Sequence, residues 1–256
     1  MKIMCCNVRY SAARDGENHW FFRYPILLDV FGEHDPDIIC FQEMSRWQYS
    51  TIRDGLKIFS AFGMVDEPQG FHPVNAIFYR TNLFKQVSAG GYWLSETPHI
   101  PGTKSWNSAC VRLCNWVRLI DQSSGKELRI VNTHLDHISQ EARVNQARLI
   151  NQDAAAYASA YPQILTGDMN CNIENPAIQS FLQAGWNDTY ETFHKKVFAG
   201  NSFHGFRGEY YSKEEGKIDF IFHRGNIRVD SAEIITESRN GRFPSDHYFV
   251  SVDISL

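Results

Sequence analysis

Nine short segments of alternating or continuous apolar character recur along the whole chain, and they limit its fold more than any other feature. They are KIMCCNV, DIICFQE, NAIFYR, CVRLCNWVRLI, ELRIVNTHLD, QILTGDMN, KIDFIFHR, IRVDSAEIITE and YFVSVDISL. Runs of this length, rich in Val, Ile, Phe and Tyr and bounded by turn residues, read as strands. IDFIFHR and IRVDSAEI are separated by Gly225-Asn226, a hairpin signal, which makes at least part of the sheet antiparallel. Helical periodicity is confined to 25–31, a stretch after Met44, 139–159, and a short stretch after Asn175-Pro176. In the third of these, Ala147, Ile150, Ala154, Tyr157 and Ala158 share a face behind Ser139, a suitable N-cap, as in a helix lying on a sheet. No linker, low-complexity tract or internal repeat divides the 256 residues, so a single domain over 1–256 is expected. Many strands with few helices predict two stacked sheets with helices on the outer faces, an α+β sandwich.

The apolar fraction of 43% is ordinary for a globular protein. No run approaches the roughly 18 apolar residues of a membrane span, and MKIMCCNVRY enters a strand pattern without the apolar stretch of a signal peptide. A cytoplasmic monomer without membrane insertion is expected. Cys5, Cys6, Cys40, Cys110, Cys114 and Cys171 lie in or beside apolar runs without C-x-x-C pairing and read as buried free thiols. A net charge of -4 and the absence of a Lys/Arg block argue against a general basic field for nucleic acid. A phosphate-bearing partner would need a local basic patch or a bound cation, and the cation is the more economical.

Several strands finish alike, apolar residues giving way to carboxylates, carboxamides or histidines. The ends carry Asn7, Glu43, His134 with Asp136, and Asp168 with Asn170, while Asp219 lies in KIDF and Asp246-His247 in PSDH. Residues two apart on a strand face one way, so Asp168 and Asn170 project together, as do His134 and Asp136. Taken singly, each of these suits a turn. If the strand ends converge, Glu43, Asp168, Asp219 and Asp246 crowd four carboxylates together, each raising the others' pKa unless a cation intervenes. An all-oxygen set without cysteine suits Mg²⁺ or Mn²⁺ rather than zinc.

In order, CCNVRY, CFQEM, NTHLDH, TGDMNCN, KIDFIF and PSDHYFV resemble the successive motifs of the endonuclease/exonuclease/phosphatase superfamily, and they span residues 5 to 250. That superfamily includes pancreatic deoxyribonuclease, abasic-site endonucleases, nocturnin-like deadenylases, neutral sphingomyelinases and inositol polyphosphate phosphatases. YWLSETP and SFHGF are similar to segments of a bacterial branch that resembles the nocturnin-like enzymes. The resemblance implies a four-layer α/β/β/α sandwich of mostly antiparallel sheets, with one metal-dependent site at their rim.

Carried over residue by residue, the resemblance makes Glu43 the principal ligand of Mg²⁺, supported by Asn7, with Asp246 near the ion through water. Asp168, held by Asn170, orients and helps to deprotonate the attacking water. His247 paired with Asp219 is a charged phosphate contact or a proton carrier, and His134 contacts the phosphate from the other side or protonates the leaving oxygen. The general base is either Asp168 or the His247 pair. Arg112 contacts phosphate or faces solvent, and His204 lines a substrate pocket with Phe206 or packs in a loop. Trp93 and Trp106 flank a loop that covers the site or simply pack. The apolar membrane elements of sphingomyelinases and the basic DNA-binding loops of the duplex nucleases have no evident counterpart. The implied activity is hydrolysis of a phosphodiester, in nucleic acid or a nucleotide-like molecule. A phosphomonoesterase for a sugar, inositol or dinucleotide phosphate stands second, and a non-catalytic phosphate-binding module third.

Overall fold

Alternation along the first strand sets out the architecture. In β1 (Lys2–Asn7) the fully buried Ile3 and Cys5 face one apolar core and the equally buried Met4 and Cys6 face another, as side-chain geometry requires of a strand covered on both sides. The structure, a computed structural model, describes residues 1–66, 70, 74–196 and 200–256. Within them the chain continues through α1 (Trp20–His34), β2 (Ile38–Gln42), α2 (Arg46–Gly55), β3 (Phe59–Phe62), β4 (Ile77–Arg80), β5 (Phe84–Trp93), β6 (Leu113–Asp121) and β7 (Glu127–His134). It then forms α3 (Gln140–Ala154), β8 (Gln163–Asp168), α4 (Pro176–Gln183), β9 (Asn187–Asp188), α5 (Thr189–His194), β10 (Asp219–Arg224), β11 (Arg228–Ile235) and β12 (Phe249–Ser255).

The strands form two six-stranded sheets, in the orders β11-β12-β1-β2-β4-β3 and β5-β6-β7-β8-β10-β9. Among the described pairings β1 with β2 and β7 with β8 are parallel and the rest antiparallel. The sheets meet face to face over Ile3, Cys5, Ile38 and Cys40 from one and Val117, Ile130, Ile164 and Ile221 from the other. Trp20, Leu27, Phe31 and Ile52 of α1 and α2 cover the outer face of the first sheet. Ala147, Ile150, Ile178 and Phe181 of α3 and α4 cover that of the second. These are the four layers of the expected α+β sandwich. No helix among the described residues is long and apolar enough to cross a membrane.

Some local expectations need correction. Gly225-Asn226 does not close a hairpin: β10 pairs with β8 and β9, while β11 pairs with β12, so the turn carries the chain from one sheet to the other. Gly225 has φ +80° and packs so closely on Tyr161 that a Cβ would lie 2.2 Å from its carbonyl oxygen, which explains the glycine without any hairpin. β5 is unmarked in the sequence because Gly90-Gly91 interrupts its pattern. A Cβ on Gly91 would stand 2.5 Å from the Cys114 carbonyl of β6, so the glycine permits close pairing. α1 begins at Trp20 with Pro25 inside it, and α3 stops at Ala154, leaving Tyr157 to stack on Tyr161 and beneath Arg129. Cys110 is exposed in a loop, unlike the other five cysteines, which are buried as expected.

Just inside the rim, apolar contacts between the sheets give way to buried amides. Gln42 donates to Asn132 Oδ1 at 2.7 Å, Thr166 donates to the same oxygen at 3.1 Å, and Asn132 Nδ2 donates to the Phe41 carbonyl at 2.8 Å. Asn132→Ala leaves the Gln42 amide and the Phe41 carbonyl short of partners. It is expected to cost about 2–4 kcal/mol, read as a lower urea midpoint at unchanged slope. A loss below roughly 0.5 kcal/mol would show that the amides do not tie the sheets together.

Candidate active site

Strand register builds the site. Asp168, the last residue of β8, is the cross-strand partner of both His134 on β7 and Asp219 on β10, so the three side chains stand in one row on the face that looks toward the other sheet. From that sheet Asn7, at the end of β1, reaches across and donates from Nδ2 to Asp168 Oδ2 at 2.9 Å and to Glu43 Oε1 at 3.1 Å. Strand alternation would send Glu43 outward after the inward-facing Gln42. Its left-handed backbone, φ +58°, turns the carboxylate back, where the Tyr10 amide donates to it at 3.2 Å.

Asn170 joins by a different route from the one the strand pattern suggests. It lies beyond β8 at φ +50°, and its N–H donates to Asp168 Oδ1 at 2.9 Å while its Nδ2 meets His134 Nε2 at 2.8 Å. His134 Nε2 is also 3.3 Å from Asp168 Oδ2. His247, just before β12, meets Asp219 Oδ2 with Nδ1 at 2.9 Å and points Nε2 toward Asp168 Oδ2 at 3.9 Å. Ser202 supports this pair by accepting from the amides of Ile218 and Asp219, and Phe203 packs edge-on against the His247 ring.

Electrostatics separate the two histidines. Burial lowers His134 well below the usual range, helped by the charges of Arg112 and His247. Burial opposes charge on His247 too, but Asp219, Asp168 and Asp246 outweigh it and hold this imidazole well above the usual range. Burial, then the charge of Asp219, pushes the Asp168 carboxyl up to about 7. Burial likewise raises Asp246. One histidine is thus neutral, one is cationic, and the central carboxyl titrates near neutrality.

These residues open on a cavity of about 1160 Å³ that Glu43, His134, Asp168, Asn170, Asp246, His247 and Arg112 all line. Asn7 and Asp219 stand just behind, fully or almost fully buried. His204 is not brought to the cavity. It is fully buried, stacked on Tyr248 at 4.1 Å and against Phe243, and Phe203 takes the lining position beside it. Trp93 and Trp106 do not line the cavity either: Trp93 donates to the Asp66 carbonyl and the Trp106 carbonyl accepts from Ser139. Asp136 is buried away from His134, accepting from the amides of Ile138 and Ser139 and from Ser108 and Ala109. Sequence reasoning missed Arg9, which holds Asp15 at 3.1 Å and lies 3.6 Å from Asp246, and His137 beside Arg112. Both fall inside quoted motifs, but neither stands at a strand end.

One ligand atom each from Glu43, His134 and Asp168 lie within 4.8 Å of one another, as do atoms from Asp168, Asp219 and His247. In the second group the imidazole already answers the carboxylates. In the first, two carboxylates face a neutral histidine, a net negative set that would suit a divalent cation.

His204 gives the fold a measurable acid sensitivity. Burial lowers its pKa from 6.5 to about 4, so between those values the unfolded chain binds the extra proton and stability falls as pH falls. His204→Phe lacks this loss. Its stability relative to wild type is expected to improve by about 3 kcal/mol from pH 7 to pH 4. A difference independent of pH would show that His204 is not held neutral.

Residues 7–247 match the model of the Endonuclease/Exonuclease/phosphatase family. The chain belongs to this family. Among solved structures it is similar to an endonuclease/exonuclease/phosphatase from Bacteroides vulgatus, with 28% identity and a TM-score of 0.91 over 100% of this chain and 98% of that one. The mannosyl-6-phosphatase of Bacteroides thetaiotaomicron is 28% identical with a TM-score of 0.90, each chain covered in full. The human nocturnin catalytic domain shares the fold at 22% identity and a TM-score of 0.76, over 100% of this chain and 93% of that one. A comparison with curated proteins finds no match. Family membership makes the chain a hydrolase acting on phosphoester bonds.

Proposed function

We propose that the chain is a divalent-cation-dependent phosphomonoesterase for sugar-like phosphates, working by in-line attack of water on phosphorus. The observation that carries the reading is the row His134, Asp168 and Asp219, faced across the rim by Glu43, Asp246 and His247. The monoester is supported by 28% identity to a mannosyl-6-phosphatase over both whole chains. The likeness to nocturnin, at 22% identity, speaks for the fold alone. This reading puts the monoester ahead of the diester, which the sequence placed first.

When bound at Glu43, with Asn7 and Asp246 nearby, Mg²⁺ or Mn²⁺ supplies Lewis-acid stabilisation of phosphoryl charge. Asn7 now points Nδ2 at the carboxylates and accepts from the Arg9 amide with Oδ1; turned end for end, the amide offers an oxygen instead. Asp168 takes the proton of the attacking water, since a carboxyl near 7 suits base catalysis at neutral pH. Its Oδ1 is fixed by the Asn170 amide. Kept cationic by its carboxylate neighbours, His247 donates to a phosphoryl oxygen rather than acting as the base. A neutral, buried His134 orients Asn170 and contacts the phosphate, and the leaving sugar oxygen takes its proton from solvent water rather than from His134.

Initial rates with p-nitrophenyl phosphate, mannose 6-phosphate and bis(p-nitrophenyl) phosphate, each with Mg²⁺ or with a chelator, test the reading. The expected outcome is a kcat/KM at least about tenfold higher for the monoesters and silence in chelator. Diester preference would overturn the substrate class, and full turnover in chelator would overturn the cation.

A further inference from the structure

Arg112, just before β6, lines the cavity with its charge unanswered. Arg9 holds Asp15 through two contacts of 3.1 Å and lies near Asp246. Arg143 commits Nε and Nη2 to the Gln140 side chain and Nη1 to the Asp136 carbonyl. Arg112 has no carboxylate within ion-pair distance among the described residues. Its Nη2 lies 3.3 Å from His137 Nδ1, and its Nε is buried without a hydrogen-bond partner. Because Nε is closed off, what the side chain can offer a ligand is the outer edge of the guanidinium that faces the cavity.

The surroundings hold this guanidinium in place. Asp136 accepts from Ser108 Oγ at 2.9 Å and the Ala109 amide at 2.8 Å, pinning the loop that leads into Arg112. With its other oxygen it accepts from the amides of Ile138 and Ser139, fixing the turn that carries His137. Arg112 also lies close enough to His134 for its charge to help keep that imidazole neutral. Arg112, His134 and His247 thus line one cavity.

We infer that Arg112, with His137 beside it, selects phosphomonoesters by binding the third terminal oxygen of a dianionic phosphoryl group. The inference rests on the phosphomonoesterase reading. A diester presents two non-bridging oxygens sharing one charge. A monoester presents three, and with a second pKa near 6 it carries almost two charges at neutral pH. His247 and the cation side at Glu43 each have one oxygen to answer. A guanidinium with no carboxylate to answer takes the third, and in a half-buried site it favours the extra charge.

The test compares wild type with Arg112→Met and Arg112→Lys on p-nitrophenyl phosphate and bis(p-nitrophenyl) phosphate, and measures binding of inorganic phosphate by calorimetry, all with Mg²⁺. Arg112→Met is expected to lose about 100-fold in kcat/KM on the monoester and as much in phosphate affinity, with the diester changed less than about threefold. Arg112→Lys, which keeps the charge but not the fork, is expected to fall between. Equal losses on both esters would overturn the inference, because Arg112 would then serve an oxygen common to both. So would no loss at all. If wild type turned over no monoester, the phosphomonoesterase reading would fail. Phosphate binding would still judge Arg112, and unchanged affinity in Arg112→Met would then sink the inference as well.

Discussion

Asp168→Asn is expected to lower kcat by about 10³-fold or more while making the metal-free protein more resistant to heat. Both effects come from one placement. The carboxyl is fully enclosed, paired in register with Asp219, and pushed up to about 7 from an unfolded value of 3.8. Between those values the folded chain holds a proton that the unfolded chain has lost, so wild-type stability declines as pH rises toward 7 and is lowest above it. A neutral amide of the same shape escapes this decline. The advantage of Asp168→Asn in melting temperature should therefore widen from pH 5 to pH 8. Loss of activity with a pH-independent melting difference would place Asp168 in the reaction but not in the crowded, cation-demanding cluster described above. Retained activity would remove it from the reaction.

Glu43→Gln is expected to cost about 10³-fold in rate at low millimolar Mg²⁺ and to recover part of that loss as the metal concentration is raised. Glu43 is the carboxylate that the fold turns back into the site through a left-handed backbone, and Asn7 and the Tyr10 amide hold it there. Gln keeps the shape and one oxygen but removes the charge that a hard cation needs. Raising Mg²⁺ should rescue Asp168→Asn less than Glu43→Gln, because its main defect lies in proton transfer. A Glu43→Gln enzyme with normal rate and normal metal dependence would move the cation elsewhere.

The inner faces of the strands were legible in the sequence because burial there obeys a period of two. Ile164, Thr166 and Asp168 on β8, like Ile130, Asn132 and His134 on β7, run from apolar core through a buried hydroxyl or amide to a reactive group. The pattern put Asn7, Glu43, Asp168, Asp219 and His247 forward as residues that would meet if the strand ends converged; for Glu43 that meeting depends on a left-handed backbone that the period does not foretell. Where the chain leaves a strand, the period stops informing. Asn170 reaches the site through a left-handed turn, and His204 lies one residue after Phe203 yet faces the interior. Turn residues mark a reversal but not a partner, so Gly225-Asn226 could not tell a hairpin from a crossing between sheets. Arg9 and His137 carried no signal because arginine or histidine in a loop is ordinary, and what matters is the carboxylate or cavity that only the fold supplies.

The most direct measurement is anomalous diffraction from crystals of the wild-type protein grown with Mn²⁺ and inorganic phosphate. The account predicts one metal peak in coordination contact with the Glu43 carboxylate, and a phosphate between His247 and Arg112 with an oxygen on the metal. Metal bound away from Glu43, or phosphate seated without contact to the Asp168 row, would contradict it.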